Sequence, residues 1–395
     1  MDPVQYQYLR INKYLMYSIG QWPYQTFLEK ILVGVVFIPI IASQTILQGG
    51  GMWAGLSDGD VEAFLEGFAP FIISWMCLCG YINYMYNMKT MKHLLNVMQE
   101  DWKIYSKSEI DYEILCRKYA VGKRISINYT AILFGTMTPF MLVPSVMNAA
   151  DALGLVNITS DRQLMFRVEH FVDAETYYYP LLIHSYFGTI AFITMVVAID
   201  SMVIVYIQHE CGLCEILGRR LKNFVEGDNL DTELYPDKRE DTWYQNARKC
   251  IILHKHILEF GKTIEDANTT SYLFKLGFNM VGVSFTQFQA VVNLERPNQS
   301  LRYGCFTACL LSILLLECWH GQQLADFTGR IFEYTTSGKW YQTSLSTRKL
   351  LNLMLLRSIN PLKLTAGKLY ILNLESFAVV VKTSFSYCMV LCSTQ

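Results

Sequence analysis

The chain has 395 residues, of which 52% are hydrophobic and 17% charged, with a formal net charge of −1 and a mean hydropathy of +0.22. Ordinary soluble domains contain about 25% charged residues, so this composition excludes a typical soluble domain and favours a membrane protein. We expect no nucleic-acid partner.

The charged residues are clustered and leave seven long apolar stretches. About 20 apolar residues are enough for a helix to cross a bilayer, so we predict an all-α protein with seven transmembrane helices. The first six spans are predicted near residues 31–48, 64–88, 125–148, 178–206, 270–294 and 301–320, and the seventh lies within 367–395. Residues 1–26 are polar and aromatic, so we expect no signal peptide.

The basic residues predict the orientation of these spans. Lysine and arginine are enriched in cytoplasmic loops, and 27 of the 33 lie in four segments that fall on one side, at 1–30, 89–124, 209–262 and 321–368. We therefore predict an inverted topology, with the amino terminus inside and the carboxyl terminus outside. This is the reverse of a G-protein-coupled receptor.

Four Asn-x-Ser/Thr sequons test this topology. Those at Asn157 and Asn298 fall in predicted outside loops, where glycosylation occurs, whereas those at Asn128 and Asn268 fall at cytoplasmic ends of spans. We expect glycosylation at Asn157 and Asn298 only.

The inside segments are predicted to be helical. In 89–124 the apolar residues recur at intervals of three and four, which is typical of a helix packed on one side; they are Met91, Leu94, Leu95, Met98 and Trp102. Residues 345–356 repeat the pattern, and we expect Leu350 and Met354 to be buried between subunits.

The chain thus divides into a transmembrane bundle with a ligand pocket (1–320), a cytoplasmic anchor (321–366) and a pore-lining last helix (367–395).

Motifs for catalysis or metal binding are weak in this sequence. His209 precedes the Cys211-x-x-Cys214 pair, and His254-x-His256 follows in the same inside segment, but the spacing differs from that of zinc fingers. We expect reduced thiols on a helix and no metal. The sequence contains no P-loop, GxGxxG or GxSxG motif, so we expect no enzymatic activity and no cofactor.

The last apolar stretch carries small polar groups at helical spacing. At about 100° per residue, Val379, Thr383, Ser386 and Val390 share one face of a helix. Such a face suits a water-filled path, and several copies around an axis would form a pore with a hydrophobic constriction at Val390, which gates by dewetting. The alternative is a buried helix whose hydroxyls bond to their own backbone.

The carboxyl-terminal hundred residues resemble the signature of insect odorant receptors. The matching segments are Cys318-Trp319-His320-Gly321-Gln322-Gln323-Leu324, Lys349-Leu350, Pro361-Leu362, Gly367-Lys368-Leu369 and Thr383-Ser384-Phe385-Ser386-Tyr387. The resemblance implies a ligand-gated cation channel of four subunits in the plasma membrane of olfactory neuron dendrites. It also implies that a tuning subunit joins a shared co-receptor subunit, that the subunits meet at a cytoplasmic anchor, and that the last helix lines the pore with a gate valine matching Val390.

The resemblance further implies an odorant pocket in the outer half of spans two, three, four and six. No motif fixes its positions, so we chose outer-half aromatic, aliphatic, thioether and hydroxyl side chains at helical spacing, which suit a small volatile apolar ligand. They are Phe68, Phe71, Ile72, Trp75, Met137, Phe140, Met141, Tyr178, Leu182, Tyr186, Tyr303, Phe306 and Thr307. Ordinary helix packing is the alternative for each of them.

Two alternatives to an odorant-gated channel stay open at this stage. One is a channel of the gustatory branch of the same superfamily, and the other is a seven-span metabotropic receptor or transporter. Transporters usually show internal repeats and broken helices, which are not evident in this sequence. The identity of the ligand does not follow from the sequence.

Overall fold

The computed structural model describes residues 3–153, 164–165, 176–224 and 234–393. The described chain is almost entirely helical, as predicted. Its helices are α1 (Pro3–Ser18), α2 (Phe27–Ser57), α3 (Val61–Tyr86), α4 (Met88–Tyr105), α5 (Glu109–Ala152), α6 (Tyr178–Lys222), α7 (Thr242–Val292), α8 (Pro297–Ser337), α9 (Leu345–Ser358) and α10 (Leu374–Ser393). A 3-10 turn at Trp340–Gln342 precedes α9, and two short strands, β1 (Thr365–Ala366) and β2 (Tyr370–Ile371), precede α10.

Local sequence signals set several helix starts. Thr26 and Glu29 form a capping box at the start of α2, with Thr26 Oγ1 accepting from the Glu29 amide and Glu29 Oε2 accepting from the Thr26 amide. The side chains of Asp241 and Ser344 cap α7 and α9 by accepting a bond from the amide three residues on. These contacts pair backbone donors that the first helical turn leaves open.

Helix α6 is the central helix of the bundle. Its most apolar 18-residue window is 89% buried, compared with 22% for the corresponding windows of α2 and α5. It packs against α1, α2, α3, α5, α7 and α8. A helix that is hydrophobic on all sides is expected in such a position, and the helices around it expose apolar faces outward.

Five helices of the described residues are long and apolar enough to cross a membrane, judged by length and composition: α2, α3, α5, α6 and α8. Helix α7 lies among them and buries a series of polar side chains, including Asn268, Lys275 and Asn279, against its neighbours. Pro39, Pro70, Pro139 and Pro144 lie inside α2, α3 and α5, which membrane helices tolerate. The seven-span count and the inverted orientation stay predictions.

The predicted cytoplasmic half consists of α1, α4, α9 and the ends of the long helices. The helical pattern in 89–124 is confirmed, since Met91, Leu94, Leu95, Met98 and Trp102 all lie on the buried face of α4. No break separates 320 from 321, because α8 runs from Pro297 to Ser337. Residues 321–337 of the predicted anchor thus continue the helix of the sixth predicted span.

A β-hairpin links α9 to the last helix and was not predicted. Gly367 and Lys368 both have positive φ, at 62° and 59°, which turns the chain between β1 and β2. The Gly367 amide donates to Thr269 O at 2.8 Å, and an added Cβ at Gly367 would lie 2.7 Å from Leu273 Cδ2. The turn is therefore held tightly against α7, and the helix begins at Leu374 instead of at residue 367.

Candidate ligand cavity and pore helix

An apolar cavity lies between five helices, in the predicted outer half of the bundle. Its lining comes from α2, α3, α5, α6 and α8, and the cavity leaves about 60 Å³ for the centre of a water-sized sphere. The lining residues are Gln44, Gln48, Pro70, Ile73, Ser74, Cys77, Leu133, Met137, Thr189, Phe192, Ile193, Val196, Phe306, Cys309 and Ile313. The wall is therefore mostly apolar, with Gln44, Gln48, Ser74 and Thr189 as its polar side chains.

Two of the thirteen residues chosen from the sequence line this cavity, namely Met137 and Phe306. Phe140 packs behind the wall, with its ring centroid 5.1 Å from that of Phe306. Ile72 and Leu182 are buried in the surrounding core. The cavity role of all these residues stays a prediction.

The remaining candidates lie around the cavity and not in it. Four of them make contacts between helices: the Phe68 ring packs on Phe285, Tyr178 Oη accepts from Asn148, Tyr186 Oη bonds Ser145, and Thr307 Oγ1 donates to Thr286. Met141 is half-buried against the core. These contacts match the packing alternative.

Three more candidates lie at other surfaces. Tyr303 is buried at a separate polar hollow that it shares with Glu66 and Arg296, at the end of the bundle beyond the cavity. The Phe71 ring packs edge-on against Trp75. Trp75 is 41% exposed and lines a shallow groove on the outer surface between α2 and α3.

Sequence reasoning missed the contribution of α2 to the cavity. Gln44 and Gln48, one turn apart on this helix, both line it. Polar residues within a membrane span are costly and often functional, so two glutamines one turn apart in a predicted span were a signal that could have identified this wall.

A buried charge cluster lies directly beneath the cavity. Lys275 of α7 pairs with Asp200 of α6 at 3.0 Å and with Glu317 of α8, and Tyr129 Oη of α5 donates to Asp200 Oδ2 at 2.7 Å. All three charged side chains are buried. These contacts connect four helices. Asp200 follows the cavity residue Val196 by four positions, about one helical turn, so the cluster lies just below the cavity floor.

A second polar cluster links the helices of the predicted cytoplasmic half. Asp101 Oδ2 of α4 accepts hydrogen bonds from His209 Nε2 of α6 and His256 Nε2 of α7, both at 2.9 Å, and His209 Nδ1 bonds Tyr119 Oη of α5 at 3.2 Å. The bond to Asp101 raises the pKa of His256 above its ordinary value. In the part of the chain that the structure describes, no group of three His, Cys, Asp or Glu side chains is arranged to hold a metal ion.

Helix α10 has one face packed against the bundle and one exposed face. Val380, Ser384 and Cys388 are buried against the bundle, and α10 packs on α7 and α8. The predicted pore stripe, Val379, Thr383, Ser386 and Val390, is centred about 130° away around the helix axis. Val379 and Val390 are 50% and 58% exposed, Ser386 is exposed and Thr383 is partly so. Ser386 Oγ also donates to Lys382 O of its own helix at 3.0 Å, the backbone bond of the alternative. The pore role of the stripe stays a prediction.

The predicted inter-subunit contact of α9 needs a correction. Met354 is only 3% exposed and Leu350 is partly buried, because both pack within their own chain together with Leu351. Helix α9 instead exposes Leu353 and Leu356, at 63% and 65%. The apolar face available to another subunit is thus rotated from the one expected.

The two expected glycosylation sites differ in what the structure says about them. Asn298 is exposed at the start of α8, near the turn that joins α7 to α8. Asn157 lies outside the described residues. Both sites stay predictions.

Comparison with known proteins decides the family. The model of the family described as "7tm Odorant receptor" matches residues 60–385, which is most of the chain. The chain belongs to the odorant receptor family. This family consists of receptors and not of enzymes, and the match favours the odorant branch over the gustatory one.

Solved structures and individual relatives agree with this odorant receptor assignment. The insect olfactory receptor OR5 from Machilis hrabei, solved in complex with eugenol, aligns with a TM-score of 0.79 over 98% of both chains at 12% identity. At that identity the likeness shows the fold.

Odorant receptor 13a of Drosophila melanogaster is 25% identical over 215 residues, or 51% of this chain and 50% of that protein. Odorant receptor Or1 of Anopheles gambiae is 22% identical over 39% of this chain and 37% of its own length. The chain thus spans about half or less of the length of these curated relatives.

Proposed function

We propose that this odorant receptor is the ligand-binding subunit of a ligand-gated, non-selective cation channel in the plasma membrane of olfactory neuron dendrites. The observation that carries the proposal is the apolar cavity lined by five helices. Such a cavity suits a small volatile ligand bound through shape and dispersion. OR5 from Machilis hrabei, which has the same fold, was solved with eugenol.

Helix α10 supplies the proposed ion path. A single chain offers one exposed stripe with hydroxyls and a terminal valine, so a closed pore requires several chains around an axis. Four subunits would place Val390 in a ring that closes by dewetting. The distribution of basic residues supports placing the amino terminus and the anchor on the cytoplasmic side.

The exposed face of α9 supports assembly with other subunits. Leu353, Leu356 and the following Ile359 form an apolar surface at the predicted cytoplasmic end. Apolar residues are enriched in the buried centres of oligomer interfaces. We propose that this surface contacts a co-receptor subunit in a heterotetramer.

The test is the current in cells that express the chain with and without an insect co-receptor, measured against an odorant panel. Odorant-evoked cation current that requires both subunits supports the proposal, whereas an absence of evoked current despite surface expression of both would refute it.

The pore assignment is tested in the same cells by Val390→Ser. This change weakens dewetting, so we expect an effect on the current and not on ligand potency alone: basal current rises or the reversal potential shifts under bi-ionic conditions. The control is Met389→Leu, because Met389 is similarly exposed but about 100° away around the helix. Unchanged leak and selectivity in Val390→Ser, at normal surface expression, would remove the stripe from the ion path.

A further inference from the structure

The cavity has an apolar surface but includes one side chain whose hydrogen-bonding groups are unused. Gln44 on α2 lines the cavity and is 1% exposed. Neither its Nε2 nor its Oε1 has a hydrogen-bond partner among the described residues. Buried polar atoms are paired in the large majority of cases, and an unpaired one destabilises the state that contains it.

The neighbouring polar groups of the cavity wall are already engaged. Ser74 Oγ lies 2.7 Å from Gln48 Oε1 and 2.9 Å from Pro70 O, and Thr189 Oγ1 donates to Ser185 O at 2.9 Å. These bonds stay within the wall itself. Gln44 is thus distinguished from the other polar residues of the wall by having both its donor and its acceptor open.

Gly188 of α6 lies directly against this amide. An added Cβ at Gly188 of α6 would lie 3.0 Å from both Cδ and Oε1 of Gln44. Such a contact is tighter than ordinary van der Waals packing, so any larger residue at 188 would push the amide aside. The glycine thus allows the Gln44 amide to pack against α6 at the edge of the cavity, and a ligand reaches the amide when the side chain turns toward the cavity.

We propose that the Gln44 amide is the specificity-determining hydrogen-bonding group of the cavity, and that it selects neutral ligands with a hydroxyl group, namely small alcohols or phenols. A hydroxyl both donates and accepts, so it pairs with Oε1 and Nε2 together. An ether, ketone or ester only accepts and leaves Oε1 unpaired. A charged ligand is disfavoured because none of the described residues that line the cavity is charged.

This inference rests on the proposed function only in requiring that the cavity binds small molecules, and its test does not need channel activity. The full-length protein is purified in lipid nanodiscs, and binding is measured as ligand-dependent thermal stabilisation, which reports affinity through mass action. The probes are matched pairs of straight-chain, branched and aromatic alcohols, including 1-hexanol and 2-phenylethanol, each with its methyl ether.

Wild-type protein is expected to bind the best alcohol at least ten-fold more tightly than its ether, a difference of about 1.4 kcal/mol. Gln44→Met, which keeps a side chain of similar length without hydrogen-bonding groups, should reduce the ratio to about one. Gln44→Asn withdraws the amide by one methylene and should also reduce it. The matched control is Thr45→Val on the same helix, because Thr45 faces the outer groove and bonds Ile41 O, and it should keep the ratio.

The outcomes separate this inference from the proposed function. If alcohols and ethers bind wild-type protein equally, or if the preference persists in Gln44→Met, the inference is wrong while the cavity keeps its proposed role. If no probe of the panel binds the folded wild-type protein, the ligand cavity of the proposed function is refuted, and this inference with it.

Discussion

Replacing Lys275 by methionine is expected to destabilise the bundle more than neutralising its acidic partner Asp200. The cluster beneath the cavity holds one positive and two negative side chains, all buried. Lys275→Met leaves Asp200 and Glu317 facing each other without a counter-charge. Asp200→Asn leaves the neutral pair of Lys275 and Glu317, and Tyr129 keeps an oxygen acceptor at position 200.

The distances give the magnitude of this difference. At 3.0 Å the attraction between Lys275 and Asp200 is about 5.5 kcal/mol for an effective dielectric constant of about 20, and several kcal/mol of it offset the desolvation of the two ions. Removing one partner of a buried pair costs about 3–5 kcal/mol because the other charge stays buried. We therefore expect about 3–5 kcal/mol for Lys275→Met and about 1.5–3 kcal/mol for Asp200→Asn, the net contribution of one hydrogen bond to a charged group.

The assay is equilibrium unfolding of the purified variants in mixed micelles, followed by tryptophan fluorescence. Adding Glu317→Gln to Lys275→Met removes one unpaired carboxylate and should recover part of the loss. If Lys275→Met were no more destabilising than Asp200→Asn, or if the second substitution recovered nothing, the charge imbalance would not be what stabilises this part of the bundle.

Two further predictions concern the predicted cytoplasmic half. Because the hydrogen bond to Asp101 raises the pKa of His256 above 6.5, its stabilising contribution is complete below pH 6.5 and is lost as the pH rises through the raised value. The stability difference between wild type and Asp101→Asn, measured by thermal unfolding, should therefore shrink as the pH rises above 6.5, and a constant difference would contradict this assignment. For assembly, Leu353→Lys with Leu356→Lys should abolish co-purification with a co-receptor while leaving the chain folded, whereas Met354→Lys should destabilise the chain itself by several kcal/mol. A double variant that still co-purifies would exclude this face of α9 from the interface.

The sequence by itself determined the class of the protein and several of its helices. The charge gaps are long enough to specify spans in a bilayer, because each span must satisfy its own backbone hydrogen bonds as a helix. The three-and-four spacing of Met91, Leu94 and Met98 identified the packed face of α4, since that periodicity depends only on helix geometry. The stripe through Thr383 and Val390 was found in the same way; in the folded chain Val390 is exposed and Thr383 partly so, and the pore role of the stripe stays a prediction.

Tertiary structure decided which of the apolar side chains surround the cavity. In a bundle where most faces are apolar, Met137 on the cavity wall, Leu182 in the surrounding core and Trp75 on the outer groove share the same helical spacing and differ only in how their helices are rotated. Rotation is set by packing against neighbours that are distant in sequence. For the same reason the sequence does not show which face of α9 packs inward. It also does not show that Lys275 meets Asp200 and Glu317. Each depends on contacts between helices separated by tens of residues.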